Sequence, residues 1–252
     1  KNLQKTVIIT GSQIPLTELR NDGLDNLLGA LIIAGNYEIP EVAIYFNNNL
    51  LRGNRVTKVS ASELGAFQSG NYPPLVKVGI DIQVNWNAIF SPATSTAFSI
   101  QKEMNPHIGT LRVFPGISKE TIYNFAKHPL KGLVLHTYGA GNAPTNPDFL
   151  EALKYVTDSG IIIINCTQCF QGNVEAHYET GKILGDAGVI GGSDMTVEAA
   201  LCKLSYLLAQ NLTAAEIKQE MTKNLRGELS EPRKTKFSFK DKDFIKSVAE
   251  VL

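Results

Sequence analysis

The feature that most constrains this chain is an alternation. Apolar runs of strand length are separated by amphipathic segments of helix length, and the pattern runs its course twice. Residues 5–10, Lys-Thr-Val-Ile-Ile-Thr, read as a buried strand, and residues 24–35 as a helix capped by Asn21 or Asp22. A strand at 41–46 follows, then a polar loop Asn47-Asn-Asn49, an extended segment over 50–59 and a short strand at 80–84. Residues 85–107 are rich in Ser, Thr, Ala, Asn and Pro without periodicity, which marks a linker. The alternation then restarts with strands at 111–114, 132–136 and 161–165. One intervening helix starts at Ser118 and runs to about 127; another starts at Asn146 with Pro147 in its first turn. Ile161-Ile-Ile-Ile-Asn165 lacks the in-out alternation of a half-exposed strand, so it must be covered on both faces. Helices are expected over 195–210 and from the capping-box sequence Thr213-Ala-Ala-Glu216 to 224.

Strand, helix, strand in succession favours parallel pairing, because a parallel partner needs a long crossover. The expected fold class is therefore α/β: two α/β domains with mainly parallel sheets. The expected division is 1–84, a linker at 85–107, a second domain at 108–229 and a peripheral tail at 230–252, with an amphipathic stretch at 244–252.

Charge and cysteine content narrow the function. Twenty-four Lys and Arg balance twenty-four Asp and Glu, which is not the basic surplus of a nucleic-acid binder. No apolar run reaches the roughly 20 residues a membrane span needs. Cys166, Cys169 and Cys202 make no disulfide framework, which favours a reducing compartment, with the cytoplasm as the default. Lys1 has no initiator Met before it and is followed almost at once by a strand, so upstream residues are expected.

Four local motifs could carry chemistry. Cys166-Thr-Gln-Cys169 has redox or zinc spacing, but no second ligand pair accompanies it; Cys166 is expected to be buried at a strand end, with Cys169 in the loop beyond. Gly139-Ala-Gly141-Asn-Ala-Pro lacks the third glycine of a dinucleotide fingerprint and reads better as a tight loop presenting Asn142 to a polar ligand. Gly191-Gly-Ser-Asp-Met195 reads as a turn with Ser193 or Asp194 as N-cap rather than a phosphate cradle. Arg52-Gly-Asn-Arg-Val-Thr-Lys58 gathers three cations around a glycine, which by itself reads as a solvated turn. The sequons at Asn165 and Asn211 are discounted, one at a buried strand end and both in a chain expected to be cytoplasmic.

Taken together, the motifs resemble a known family. Thr10-Gly-Ser-Gln-Ile-Pro15, Asp22-Gly23 with Asn26-Leu27, Arg52-Gly-Asn-Arg-Val-Thr-Lys58, Tyr138-Gly-Ala-Gly-Asn-Ala-Pro144, Asn165-Cys-Thr-Gln-Cys169, Gly188-Val-Ile-Gly-Gly-Ser-Asp-Met195 and Asn224-Leu-Arg-Gly-Glu228 occur in this order in cytosolic type I L-asparaginases. The resemblance implies hydrolysis of L-asparagine to L-aspartate and ammonia with no metal or cofactor, using a threonine nucleophile and an oxyanion site. A second threonine, an aspartate and a lysine handle the protons, and Lys58 matches that lysine. Asn142 matches an asparagine that enters the substrate pocket of the adjacent subunit, which implies a homodimer or homotetramer. Thr57, His136, Thr167, Gln168 and Cys169 match a regulatory asparagine site; His136 stands where bacterial members have arginine, and a neutral imidazole replaces a bidentate guanidinium poorly.

The departures are as informative. The family's Thr-Gly-Gly-Thr nucleophile segment and its His-Gly-Thr-Asp-Thr segment do not occur in these residues. The chain is thus expected to lack an N-terminal part of its first domain and to be inactive alone; the resemblance to animal members, which often continue into ankyrin repeats, implies further residues after Leu252. The alternatives are a truncated isoform that binds amino acid or pairs with full-length subunits, and a glutaminase or amidotransferase amidase on the same fold.

Overall fold

In the computed structural model, which describes residues 2–90, 97–174 and 179–231, the chain builds one main sheet from residues 7–84 and another from 108–191. β1 (Val7–Ile9) lies parallel to β2 (Val42–Phe46), with helix α1 (Gly23–Asn36) as the crossover. Asn47 and Asn48 then adopt left-handed conformations, φ 46° and 63°, and turn the chain directly back into β3 (Asn49–Arg52). A two-residue hairpin turn of this kind needs positive φ at both central positions, and asparagine tolerates it. β4 (Thr57–Lys58) and β5 (Phe67–Gln68) form a separate antiparallel ribbon, while β6 (Val76–Val78) and β7 (Ile82–Val84) complete the sheet in the order β1-β2-β3-β6-β7. The expected parallel arrangement holds in this sheet for β1 and β2 alone. From β2 onward its neighbours are joined by segments without a crossover helix, and the pairs run antiparallel.

One burial expectation is corrected here. β1 is an edge strand: Ile8 packs with the core beneath α1, so alternation turns Val7 and Ile9 the other way, where they are 39% and 56% exposed. α1 buries Ala30 and Ile33 against Ala43, Tyr45, Leu50 and Val76, and leaves Leu24, Leu27, Leu28, Leu31 and Ile32 open.

The second sheet is parallel throughout. β8 (Ile108–Arg112), α2 (Lys119–Phe125), β9 (Gly132–Thr137), α3 (Pro147–Asp158), β10 (Ile162–Thr167), α4 (Glu179–Asp186) and β11 (Ile190–Gly191) alternate, with strand order β11-β10-β9-β8. α5 (Val197–Leu208) and α6 (Ala214–Met221) follow. Leu133, Leu135 and Ile163 point to one face and meet Phe149, Leu153 and Val156 of α3. Val134, Ile162, Ile164 and Cys166 point to the other and meet Leu204, Leu207 and Met221. Both faces are dry, which is why these strands are apolar at successive positions.

Boundaries differ from expectation at several elements. β8 starts at Ile108, the first residue of the expected second domain and three residues before the strand expected at 111–114, and α4 and β11 answer to no expected element. α5 is capped by Thr196, whose hydroxyl accepts from Ala199 N, rather than by Ser193 or Asp194. Residues 91–96 of the expected linker and the expected amphipathic stretch at 244–252 lie outside the described residues.

Candidate active site

The segment Arg52 to Lys58 is not a solvated turn. Arg52 and Arg55 are 4% and 2% exposed, buried by partners far away in sequence. Arg52 clasps Glu41 with two hydrogen bonds, Nε to Oε2 at 2.5 Å and Nη2 to Oε1 at 2.9 Å, and also donates to the carbonyls of Ala88 and Gly227. Arg55 donates to the same Gly227 carbonyl at 2.7 Å and to Ser230 Oγ at 3.0 Å, and pairs with Asp194 at 2.9 Å. Tyr72 lies under both guanidinium groups, 4.3 and 5.0 Å from its ring centre. Buried ion pairs persist when the remaining donors are satisfied, as they are here.

The acceptor loop is built for this contact. Gly227 has φ +77°, Asn224 Oδ1 accepts its N–H, and Glu228 accepts the N–H groups of Leu225 and Arg226 while pairing with buried Lys203 at 2.7 Å. Burial disfavours both charges of that last pair; it leaves the Lys203 ammonium below its ordinary value, whereas hydrogen bonds from Lys203 and Leu225 outweigh it for Glu228 and hold that carboxyl down.

Three residues beyond Arg55, β4 presents Lys58. Its ammonium donates to Gln13 Oε1 at 2.9 Å and lies 5.5 Å from the centre of the Phe67 ring on β5. Gln13 belongs to the loop after β1, which Asp22 holds: the carboxylate accepts Gln13 N at 3.1 and 3.0 Å, Ile14 N at 2.9 Å and Asn26 Nδ2 at 3.1 Å. Burial works against that charge, but the N–H donors of Ile14 and Gln13 win and hold Asp22 below the ordinary carboxylate value. With Asp22 so engaged, Asn21 Oδ1 accepts the first N–H groups of α1, from Gly23 and Leu24. Asn26 completes the mesh, donating to Gly11 O and accepting Asn47 N from the hairpin turn.

Asn142 sits on the other sheet's loop after β9. Gly139 and Gly141, φ +46° and +105°, fold it tightly, and a Cβ at Gly141 would meet Val174 at 2.7 Å. β10 holds the loop: Asn165 Nδ2 donates to Gly141 O at 3.1 Å and Thr167 Oγ1 to Gly139 O at 2.5 Å. Asn142 itself is exposed, and its backbone pairs with Tyr138. Lys58 and Asn142 thus belong to different halves of the chain.

Thr167, Gln168 and Cys169 connect to this loop and to the end of β9. Thr167 Oγ1 accepts Cys169 N, and Gln168 Nε2 donates to the carbonyls of His136 and Val113. Thr57 arrives from the first half, its hydroxyl donating to Glu198 Oε2 at 3.2 Å. The His136 ring is half-buried, with Nε2 unpartnered; burial first, then the charge of Arg112, lower its pKa against the pull of Glu198. The ring is neutral near pH 7 and offers no second charge to a carboxylate. Cys166 is buried and its thiol is pushed up to about 12 by burial, so it is an inert core residue, while Cys169 is exposed. Among the described residues no group of three or more His, Cys, Asp or Glu is arranged to hold a metal ion.

The sequence and its resemblance picked out Lys58 and Asn142 but not Gln13 and Asp22, which hold Lys58, nor Glu198, which accepts from Thr57. The signal for Gln13 and Asp22 is the motif Thr10-Gly-Ser-Gln-Ile-Pro15 with Asp22-Gly23, in which Asp22 reads only as a candidate helix cap and Gln13 carries no assigned role.

The chain is similar to known proteins. Residues 1–90 match the family model described as "Asparaginase, N-terminal" and residues 107–221 that of the "Glutaminase/Asparaginase C-terminal domain". L-asparaginase 1 of Escherichia coli (strain K12) is 49% identical over 91% of this chain and 68% of its own length. The crystal structure of L-asparaginase I from Vibrio cholerae superposes with a TM-score of 0.86 at 48% identity, covering 92% of this chain and 70% of the other. The chain belongs to the asparaginase family. A human relative, 47% identical over 92% of this chain, is named 60 kDa lysophospholipase; the chain spans 41% of that protein's length.

Proposed function

We propose that the protein containing these residues is an L-asparaginase, an amidohydrolase that converts L-asparagine and water to L-aspartate and ammonia. The observation that carries the reading is the 48–49% identity to asparaginases across both halves of the chain, with Lys58 at the mouth of a preformed polar mesh. Lys58 handles protons in that reaction, and Asn142 serves the pocket of an adjacent subunit, so the working form is a homodimer or homotetramer. Thr57, His136, Thr167, Gln168 and Cys169 form the counterpart of a regulatory amino-acid site, changed in character by the neutral His136. The threonine nucleophile lies in residues that this chain does not carry, and the 252 residues alone release no ammonia. The division into 1–84, 85–107, 108–229 and 230–252 and a cytoplasmic setting belong to the same reading; among the described residues no helix is long and apolar enough to cross a membrane.

The test is ammonia release by the whole protein from L-asparagine and L-glutamine, with fatty-acid release from a lysophospholipid as the third assay. The reading requires the highest kcat/KM for asparagine and its loss in Lys58→Met with the oligomer intact. Turnover of glutamine or lysophospholipid without asparagine would replace it. Mixing Asn142→Ala subunits with nucleophile-dead subunits should regenerate some complete sites, and a mixture that stays inactive would remove Asn142 from a shared pocket.

A further inference from the structure

Lys58 is exposed on a two-residue strand, and a lysine side chain there loses rotamer entropy before it holds one position. Among the described residues its ammonium donates a single hydrogen bond, to Gln13 Oε1. Gln13 is built to receive it. Its Nε2 donates to the Glu63 carbonyl at 3.2 Å, in the loop that joins β4 to β5. An ammonium can only donate and a carbonyl can only accept, so flipping the amide would oppose like groups at both ends; only one orientation satisfies both. Gln13 therefore grips the β4–β5 ribbon at Lys58 and at the loop together, while Asp22 pins its backbone with both carboxylate oxygens.

We propose that Gln13 is a positioning residue for Lys58: its amide oxygen fixes the ammonium beside Phe67, and Asp22 fixes Gln13. The assignment rests on the reading of Lys58 as the proton-handling lysine for its functional meaning, but its geometry stands apart from that reading.

Two measurements separate the two. In the 252-residue chain, Gln13→Met, Gln13→Glu and Asp22→Asn are treated with an N-hydroxysuccinimide acetate, and acetylation of each lysine is followed by mass spectrometry, with a cooperative urea transition of unchanged slope as the control for folding. A side chain held by Gln13 and against Phe67 presents its nitrogen to the reagent less often than a freely rotating one. Gln13→Met raises the Lys58 rate about two- to fivefold, as loss of one exposed charge-assisted contact implies, with Lys77 and Lys154 unaffected; Gln13→Glu lowers it. Asp22→Asn raises it less than Gln13→Met does. A Lys58 rate unmoved by Gln13→Met and Gln13→Glu overturns the proposal. In the whole protein, Gln13→Met lowers kcat for asparagine with KM nearly unchanged, and Gln13→Glu displaces the pH profile of kcat. Labelling that follows Gln13 in a protein that hydrolyses no asparagine would discard the asparaginase reading and keep the positioning role. Hydrolysis with kcat and labelling indifferent to Gln13 would do the reverse.

Discussion

At the scale of single residues, Gly227 shows how much can rest on a missing Cβ. Its φ of +77° suits glycine, and a Cβ there would lie 2.5 Å from Arg52 Nη1, a side chain already committed to Glu41 and Ala88. Gly227→Ala is expected to cost at least about 2 kcal/mol, read as a lower urea midpoint at unchanged slope. Asp194 makes a pH-dependent contribution. Burial pushes its carboxyl up, but the donors of Ser230 and Arg55 outweigh burial and hold it below the ordinary value. The unfolded chain then binds the proton first as pH falls, so this stabilisation is complete above a pKa of about 4 and is lost below it. Asp194→Asn should lose about 3 kcal/mol at pH 7, because Arg55 stays buried without its partner, and the gap to the parent should close as acid unfolding is followed toward pH 2. A gap independent of pH would mean that the ion pair contributes nothing through its charge. None of this was legible in the sequence. Arg52-Gly-Asn-Arg reads as a solvated turn because Gly227, Ser230 and Asp194, the groups that bury it, lie more than a hundred residues away.

At the scale of elements, legibility followed the strength of the local signal. β9 and β10 were readable because burial on both faces writes an unbroken apolar run, and α3 and α6 because Asn146 with Pro147 and Thr213 with Glu216 are side-chain caps that act within four residues. β5 and β11, two residues each, have no room for periodicity. The antiparallel run from β2 to β3 hinged on Asn47 and Asn48, which lack the glycine of the strongest hairpin signal. The cap of α5 was misplaced because Ser193 and Asp194 are equally good capping types; Asp194 is drawn away by Arg55, leaving Thr196. Thr196→Ala should therefore destabilise by about 1 kcal/mol and Ser193→Ala by less, measured as shifts in thermal midpoint; the reverse order would restore Ser193 as the cap.

At the scale of the whole molecule, the two halves differ in how far these residues cover their apolar faces. The parallel sheet has helices on both faces, whereas among the described residues the first sheet has β1 at its edge, with Val7 and Ile9 open on the face turned away from α1, and α1 leaves its own outer face open. Leu24, Leu27, Leu28, Leu31 and Ile32 recur at helical spacing and are between 42% and 59% exposed, so they form one apolar stripe rather than scattered residues. The sequence hinted at this only through α1, whose apolar residues outnumber those that a single packed face needs. An open edge strand next to such a stripe promotes association, since both unpaired backbone groups and apolar area gain by being covered. The 252-residue chain is accordingly expected to self-associate at micromolar concentration and to bind a dye that reports apolar surface. Because Leu28 and Leu31 contribute little to the core beneath α1, Leu28→Lys combined with Leu31→Glu should leave the thermal midpoint within about 1 kcal/mol equivalent of the parent. The same pair should shift the sedimentation profile toward monomer and reduce dye binding. Lost stability in the double variant would show that the stripe is already buried by other parts of the chain, and unchanged association would move the contact to another surface.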